Sequence, residues 1–334
     1  MDQDINTNED STGKINPKEP LISIIVVTYN SAKYILETLE SAKAQTYKNI
    51  ELIVSDDCST DDTVTICGLW LKNNKERFVR SELITSDKNT GISANCNRGF
   101  NVAQGEWIKY IAGDDTLEPN CIEVYLECSC TNRYAYVFHS NAFFYANSFE
   151  QINLMESIDY SKYRFNNSNI TVHEQRQILL RLNPVIAGTV FIHRTAFNKA
   201  GLFDEENRNW EDRPMWLKFT SKGIKMHFVD KKLINYRLTK DSITENFLFR
   251  DKLYSDFELE RDKIILKKFI SELPFIERYI KTIEIKRKCL LQSIGLNKNN
   301  FWCRACDLIS RKPLSYFIRY FNRSFILDRH CAHL

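Results

Sequence analysis

The first hundred residues alternate between two apolar patterns. Ile22-Ser-Ile-Ile-Val-Val-Thr28 is a β-branched run bounded by Pro20 and Tyr29-Asn30, the pattern of a strand buried on both faces. Tyr34, Ile35, Leu36, Leu39 and Ala42 then recur at helical spacing, and Ile50-Glu-Leu-Ile-Val54 restarts a strand that runs into Ser55-Asp56-Asp57. Together they predict a βαβ unit with a right-handed crossover. The rhythm continues: residues 59–62 cap a helix to about 71, 81–85 is a short strand, 92–103 a helix stopped by Gly105, and 106–111 a strand. Residues 21–111 therefore predict a Rossmann-like, mostly parallel sheet flanked by helices, an α/β fold.

Further on, the pattern predicts helices over 119–130, 172–182 and 214–221 and strands over 134–144, 188–193 and 225–229. Residues 146–168 are polar and rich in Asn and Ser, a loop composition. From about Phe247 the chain reads as basic and helical to its end.

Composition is that of an ordinary globular protein, with 43% apolar and 27% charged residues. Only 10 Gly and 7 Pro occur in 334 residues, too few turn formers for a many-hairpin barrel. Residues 1–20 are acidic and almost free of apolar side chains, which excludes a signal peptide and predicts a disordered tail. Apolar windows such as 24–27 and 185–191 are too short to span a bilayer. The ten Cys are then expected as reduced thiols in a cytoplasmic protein. Charge is unevenly placed: from Lys263 onward there are 15 Lys and Arg against 5 Asp and Glu, and before it 31 against 38. That basic end suits an anionic partner.

Ligands of doubly wound sheets gather at the carboxyl ends of the strands. There stand Thr28-Tyr29-Asn30, Asp56-Asp57 and Gly113-Asp114-Asp115. No G-x-G-x-x-G or G-x-x-x-x-G-K-[ST] occurs, so dinucleotide and P-loop chemistry drop out; His173-Glu174 lacks the second His of a zincin. Adjacent aspartates on a short loop repel unless a positive charge joins them. Hard carboxylate oxygens suit Mg²⁺ or Mn²⁺, and turn or cap formation is the competing explanation. Cys303-x-x-Cys306 has no second close pair at finger spacing, which speaks against zinc.

Five blocks in order, residues 24–30, 55–62, 89–93, 105–115 and Trp210-Glu211-Asp212, resemble the family 2 glycosyltransferases of the GT-A fold, of the type that builds capsular or O-antigen polysaccharide. The resemblance spans about residues 21–244 and implies inverting transfer of one sugar from a nucleotide-diphosphate sugar, UDP favoured, to a hydroxyl of a glycan or lipid-linked acceptor. It implies a nucleotide site of Thr28, Tyr29, Asn30, Asp56, Asp57, Asn89, Gly91 and Asp114. Mn²⁺ or Mg²⁺ would be held by Asp115 with Asp114, Asp212 with Glu211 would supply the general base, and Trp210 would stack on the acceptor. Glu211 and Asp212 precede Pro214 and so are expected at the positive end of a helix, which favours their ionised forms. Trp216 is expected in the core.

The expected divisions are a disordered tail (1–19), a nucleotide-sugar half (20–118), an acceptor half (119–246) and a basic helical extension (247–334). Within the extension, residues 311–327 interleave aromatic and basic side chains. That pattern suits either a helix on an anionic membrane surface, which would make the protein peripheral to the inner face of the cytoplasmic membrane, or one packed back on the domain. No recognition motif for nucleic acid accompanies the charge.

Two positions depart from the family pattern. Cys96 stands where many members have Arg, leaving Arg98 to substitute, and Thr239 stands where many have a His near the metal, leaving Asp241 to substitute. The missing Q-x-x-R-W motif, together with the lack of spanning segments, argues against a processive polysaccharide synthase. A nucleotidyltransferase would need a Gly- and Lys/Arg-rich loop after the first strand, and residues 28–33 have no Gly. A catalytically inactive, membrane-associated assembly partner stays open at this stage.

Overall fold

The computed structural model describes residues 19–155, 160–239 and 252–310. The tail through residue 18, Asp241 and the 311–327 segment lie outside them. Strands β1 (Ile22–Thr28), β2 (Ile50–Asp56), β3 (Arg80–Thr85) and β4 (Trp107–Ala112) are parallel, joined by α1 (Ile35–Lys43), α2 (Thr63–Asn74) and α3 (Ile92–Val102). After β5 (Thr116–Leu117) come α4 (Cys121–Thr131), β6 (Val137–Ala146), α5 (Val172–Leu179), β7 (Phe191–His193), α6 (Arg194–Ala200), α7 (Asp212–Ser221) and β8 (Met226–Leu238). One mixed sheet results, in the order β3-β2-β1-β4-β7-β6-β8-β5. The α/β, GT-A expectation holds.

Alternation along β1 sorts the core. Ile22, Ile24 and Val26 pack with Leu39, Leu52 and Trp107 on one face, whereas Ile25 packs with Ile53, Phe100, Ile108 and Trp216 on the other. Trp216 is core, as expected. The chain builds β2 and β3 on one side of β1 and returns to the other side for β4. The crevice between β1 and β4 is therefore a topological switch point, where the carboxyl ends of strands leave room for a ligand.

Three expectations are corrected. Gly105 does not stop α3, which ends at Val102 with Ala103 already extended. Gly105 serves close packing instead, donating its N–H to Ser23 Oγ and Glu51 Oε1 where a Cβ would lie 2.4 Å from Ser23 Oγ. The 188–193 strand shrinks to Phe191–His193, because residues 187–189 form a 3₁₀ turn. The 225–229 strand extends to Leu238, past the charged Asp230-Lys231-Lys232 that break its apolar pattern at a register shift against β6.

The basic region contributes α8 (Asp256–Ile264) and α9 (Phe275–Ser293), with further helix over 301–310. Ion pairs fasten it to the sheet domain: Arg176 to Glu272, Arg181 to Glu277, and Lys268 to Asp204.

Candidate active site

Parallel register places Thr28 beside Asp56, Asp56 beside Thr85, and Val27 beside Ala112. The ends of β1 and β4 touch, since a Cβ on Gly113 would lie 2.9 Å from Ser31 Oγ and 3.0 Å from Thr28 Cγ2. Past β1, Tyr29 is 49% exposed. Asn30 takes a left-handed φ of 51°, and its Oδ1 accepts from the Thr60 N–H at 2.8 Å. The loop after β1 is thus tied to the loop after β2.

Asp56 and Asp57 are buried and already satisfied. Asp56 accepts from Thr28 Oγ1 at 2.8 Å and from both the N–H and hydroxyl of Ser59. Asp57, 2% exposed, accepts from the N–H groups of Thr90 and Gly91, from Thr90 Oγ1 and from Arg98. Burial opposes its ionisation, yet the bonds from Thr90, Gly91 and Arg98 prevail and hold its carboxyl below the usual range. Arg98 and backbone N–H groups neutralise Asp57, so this aspartate pair needs no cation to offset its repulsion. Arg98, the expected substitute for the family Arg, is engaged with Asp57.

Asp57 fixes the 89–91 turn, and that turn carries the next contacts. Arg208 donates to the carbonyl and side-chain oxygen of Asn89 at 2.7 and 2.6 Å, and Ser93 Oγ donates to the Asn207 carbonyl at 2.7 Å. Gly91 has a φ of +93°, and a Cβ there would fall 2.5 Å from the Arg208 carbonyl oxygen. Gly91→Ala is expected to cost about 1–3 kcal/mol and to loosen the approach of the 202–211 segment. Urea unfolding checks it; a midpoint equal to wild type would contradict the close approach.

Asp114 and Asp115 form the acidic end of β4. Asp115 is 2% exposed; its Oδ1 accepts from the Arg237 N–H at 2.8 Å, and its carbonyl accepts from Thr38 Oγ1 at 2.7 Å. Among the described residues, no donor reaches Asp115 Oδ2. Gly188 sits beside that oxygen, its would-be Cβ 3.6 Å away. Burial pushes the Asp115 carboxyl well up, and the adjoining Asp114 adds to this; burial raises Asp114 also. Two buried cations lie close by. Arg237 donates to the Asp114 carbonyl, to Glu37 Oε2 and to the Asn147 carbonyl. Lys109 donates to the carbonyls of Tyr110, Gly188 and Val190. Burial draws the Lys109 ammonium down to about 8, against the opposing pull of Cys121 and Asp115.

Glu211 caps α7 and Asp212 is its first residue. Asp212 Oδ2 accepts from Asn183 at 2.5 Å and Oδ1 from the Arg213 N–H at 2.6 Å. Both carboxyls were expected ionised at this helix terminus. Burial outweighs the terminus: Glu211 is pushed up to about 8 by burial and then by Asp212. Burial raises Asp212 too, while Arg213, Asn183 and Arg261 oppose it. Asp212 thus has donors and cations that favour its charged form, whereas burial beside Asp212 favours the protonated form of Glu211. Trp210 is only 3% exposed, with the guanidiniums of Arg213 and Arg261 over its ring at 5.7 and 6.0 Å. That burial leaves no open face for the expected stacking on an acceptor.

Glu211→Gln tests this assignment. A carboxyl raised above its unfolded value weakens the fold progressively as pH rises from about 4.5 toward about 8. Removing it should raise the melting temperature by about 2–4 °C at pH 9, with the gain shrinking toward pH 5. A gain independent of pH would contradict the assignment.

Asn183 binds Asp212, and the same segment reaches Gly188 beside Asp115. Asp57 holds the 89–91 turn that meets Arg208, close before Glu211. Short chain segments thus link the surroundings of the three acidic positions in pairs: 183–188 touches both Asp212 and Asp115, and 89–91 joins Asp57 to Arg208. A surface cleft of about 510 Å³ lined by Ser161, Lys162, Tyr163, Arg164, Asn167 and Glu174 includes none of them.

A family model described as "Glycosyl transferase family 2" matches residues 23–201, more than half of the chain. The chain belongs to glycosyl transferase family 2. This glycosyltransferase is 29% identical over 289 residues to an uncharacterized glycosyltransferase of Rickettsia prowazekii, covering 81% of this chain and 85% of that one. It is 27% identical over 233 residues to the putative teichuronic acid biosynthesis glycosyltransferase TuaG of Bacillus subtilis, covering 68% and 83%. Among solved structures, S. aureus TarS 1–349 in complex with UDP-GlcNAc superposes with a TM-score of 0.55 at 20% identity, covering 80% of this chain and 72% of that one. The glycosyltransferase spans 43% of a longer TarS structure.

The sequence reading missed Arg237, Lys109, Asn183 and Arg208. Lys109 carried a usable signal, since it interrupts the otherwise apolar and aromatic Trp107–Ala112 strand. The others are placed only by tertiary contacts.

Proposed function

We propose that the chain transfers one sugar, with inversion, from a UDP-sugar to a hydroxyl of a glycan or lipid-linked acceptor in surface polysaccharide synthesis. One observation carries this reading: Asp115 Oδ2, which takes no hydrogen bond among the described residues, lies beside Gly188 in the segment whose Asn183 holds Asp212. The UDP-GlcNAc complex of TarS and the teichuronic acid biosynthesis named for TuaG support the donor and pathway class. Asp212, whose charged form is favoured by the Arg213 N–H, Asn183 and Arg261, would take the proton of the acceptor hydroxyl as the anomeric carbon is attacked. Residues 20–118 would carry the donor and 119–246 the acceptor. The basic region from 247 would suit a peripheral position on an anionic membrane.

The acidic pair fits a divalent cation in part. Two hard carboxylates suit Mg²⁺ or Mn²⁺ only when diphosphate oxygens and water complete the shell. Among the described residues no cluster of three His, Cys, Asp or Glu exists to bind a metal alone. Asp115 would be the ligand, with Asp114 beside it. The ion, once bound, would offset charge growing on the leaving diphosphate.

Calorimetry with UDP, with and without Mn²⁺, tests the proposal. Wild type should bind UDP more tightly with Mn²⁺, and Asp115→Asn should lose that gain by about tenfold or more. Equal Mn²⁺ enhancement in the variant would remove Asp115 from the role.

A further inference from the structure

The charge around Trp210 does not balance. Arg213 and Arg261 both lie over its indole, at 5.7 and 6.0 Å, and the charge of each favours the ionised form of the adjoining Asp212. Arg213 is engaged: its Nε donates to the Leu179 carbonyl at 2.5 Å. Arg261 is different. It is half-buried, stacked on Phe257 with its guanidinium 4.7 Å from the ring centroid, and no carboxylate or carbonyl among the described residues takes a hydrogen bond from it. Its neighbour Asp262 is spoken for by Lys288 at 2.7 Å and Lys281 at 3.7 Å. A second cation beside Arg213 is unfavourable in itself: burial draws the Arg213 guanidinium down to about 10 against the pull of Asp212, and the like charge of Arg261 adds to the burial.

The placement of Arg261 is nevertheless built. Helix α8 starts at a capping box, in which Ser255 Oγ accepts from the Glu258 N–H and Glu258 Oε2 accepts from the Ser255 N–H. Lys268, just beyond the helix, is anchored to Asp204 in the segment that leads to Trp210. The family match ends at residue 201, so Arg261 comes from a part of the chain that the family does not define.

A guanidinium whose planar fork of donors is unused, next to the carboxylate that would activate the acceptor, calls for a planar or tetrahedral oxyanion. We infer that Arg261 binds a carboxylate or phosphate group of the acceptor, and that the acceptor is an anionic glycan whose charge lies near the reacting hydroxyl. This rests on the proposed assignment of Asp212 to the acceptor side. Indole and Phe257 packing hold the guanidinium ready at little cost in entropy, which favours selection among acceptors over mere attraction.

The test uses the full chain saturated with UDP and Mn²⁺, titrated with three probes: a glucuronate-containing tetrasaccharide, an oligo(glycerol phosphate) and neutral maltotetraose. At least one charged probe should bind at least about tenfold more tightly than maltotetraose; which one identifies carboxylate or phosphate as the recognised group. Arg261→Gln should erase that margin and Arg261→Lys should keep part of it, with UDP affinity serving as the check on folding. The inference is overturned if wild type binds maltotetraose as well as either charged probe, if Arg261→Gln keeps the margin, or if Arg261→Gln also loses UDP. A wild-type chain that does not bind UDP overturns the donor assignment first, and this inference with it.

Discussion

Asp212→Asn is expected to lower the rate of sugar transfer by roughly 10²–10⁴-fold, the usual contribution of a general base, with UDP still bound. The geometry makes the substitution informative. Asn preserves the shape that receives the Arg213 N–H at 2.6 Å, so the α7 terminus should survive. What disappears is the basic oxygen. The pH profile sharpens the expectation: burial raises the Asp212 carboxyl, so the rate should climb with pH along a limb above the ordinary aspartate range. Glu211, pushed up to about 8 by burial and Asp212, is assigned no part in proton removal, and Glu211→Gln should keep a rising limb. Stopped assays of UDP release across pH 4–9 decide the matter. Transfer by Asp212→Asn within threefold of wild type would move the base elsewhere.

Why such a site was partly legible in the chain follows from how each group is held. Asp56, Asp57, Asp114 and Asp115 stand directly after strands whose apolar runs are unmistakable, so their shared edge followed from the βαβ pattern. The use made of each pair did not follow. Asp57 is consumed by Thr90, Gly91 and Arg98, whereas Asp115 keeps one oxygen without a donor among the described residues, and that difference depends on a turn 33 residues and a strand 122 residues away. Polarity also misled at β8: Asp230-Lys231-Lys232 look like a turn, yet the strand continues and carries Arg237 beneath the acidic pair. At α7, position in a helix spoke for ionised carboxyls, and burial reversed the answer for Glu211. Local pattern reports where a strand ends; it does not report the dielectric into which the next side chain is packed.

Arg237 supplies the second large effect, on stability. Its guanidinium is almost wholly buried, lies 4.3 Å from the Tyr34 ring centroid and 3.9 Å from that of Phe149, and bridges the ends of β4 and α1 by its bonds to the Asp114 carbonyl and Glu37. Methionine matches much of its volume, so Arg237→Met isolates the polar loss from a packing loss. Replacing a whole buried ion pair by apolar groups is often neutral, but removing one partner is not. Here the Asp114 carbonyl loses its donor, and Asp114 and Asp115 lose a cation that opposes their burial. The expected cost is about 3 kcal/mol, a large share of the roughly 5–15 kcal/mol of a typical domain. Arg237→Lys, which keeps charge but not the fork, should recover only part of it. Urea midpoints at unchanged slope measure both variants, and a shift under about 0.5 kcal/mol for the methionine variant would show that the acidic loop stands without its cation. The larger loss is predicted because the same side chain joins the loop after β4 to the helix that follows β1, so the acidic loop and its electrostatic support fail together.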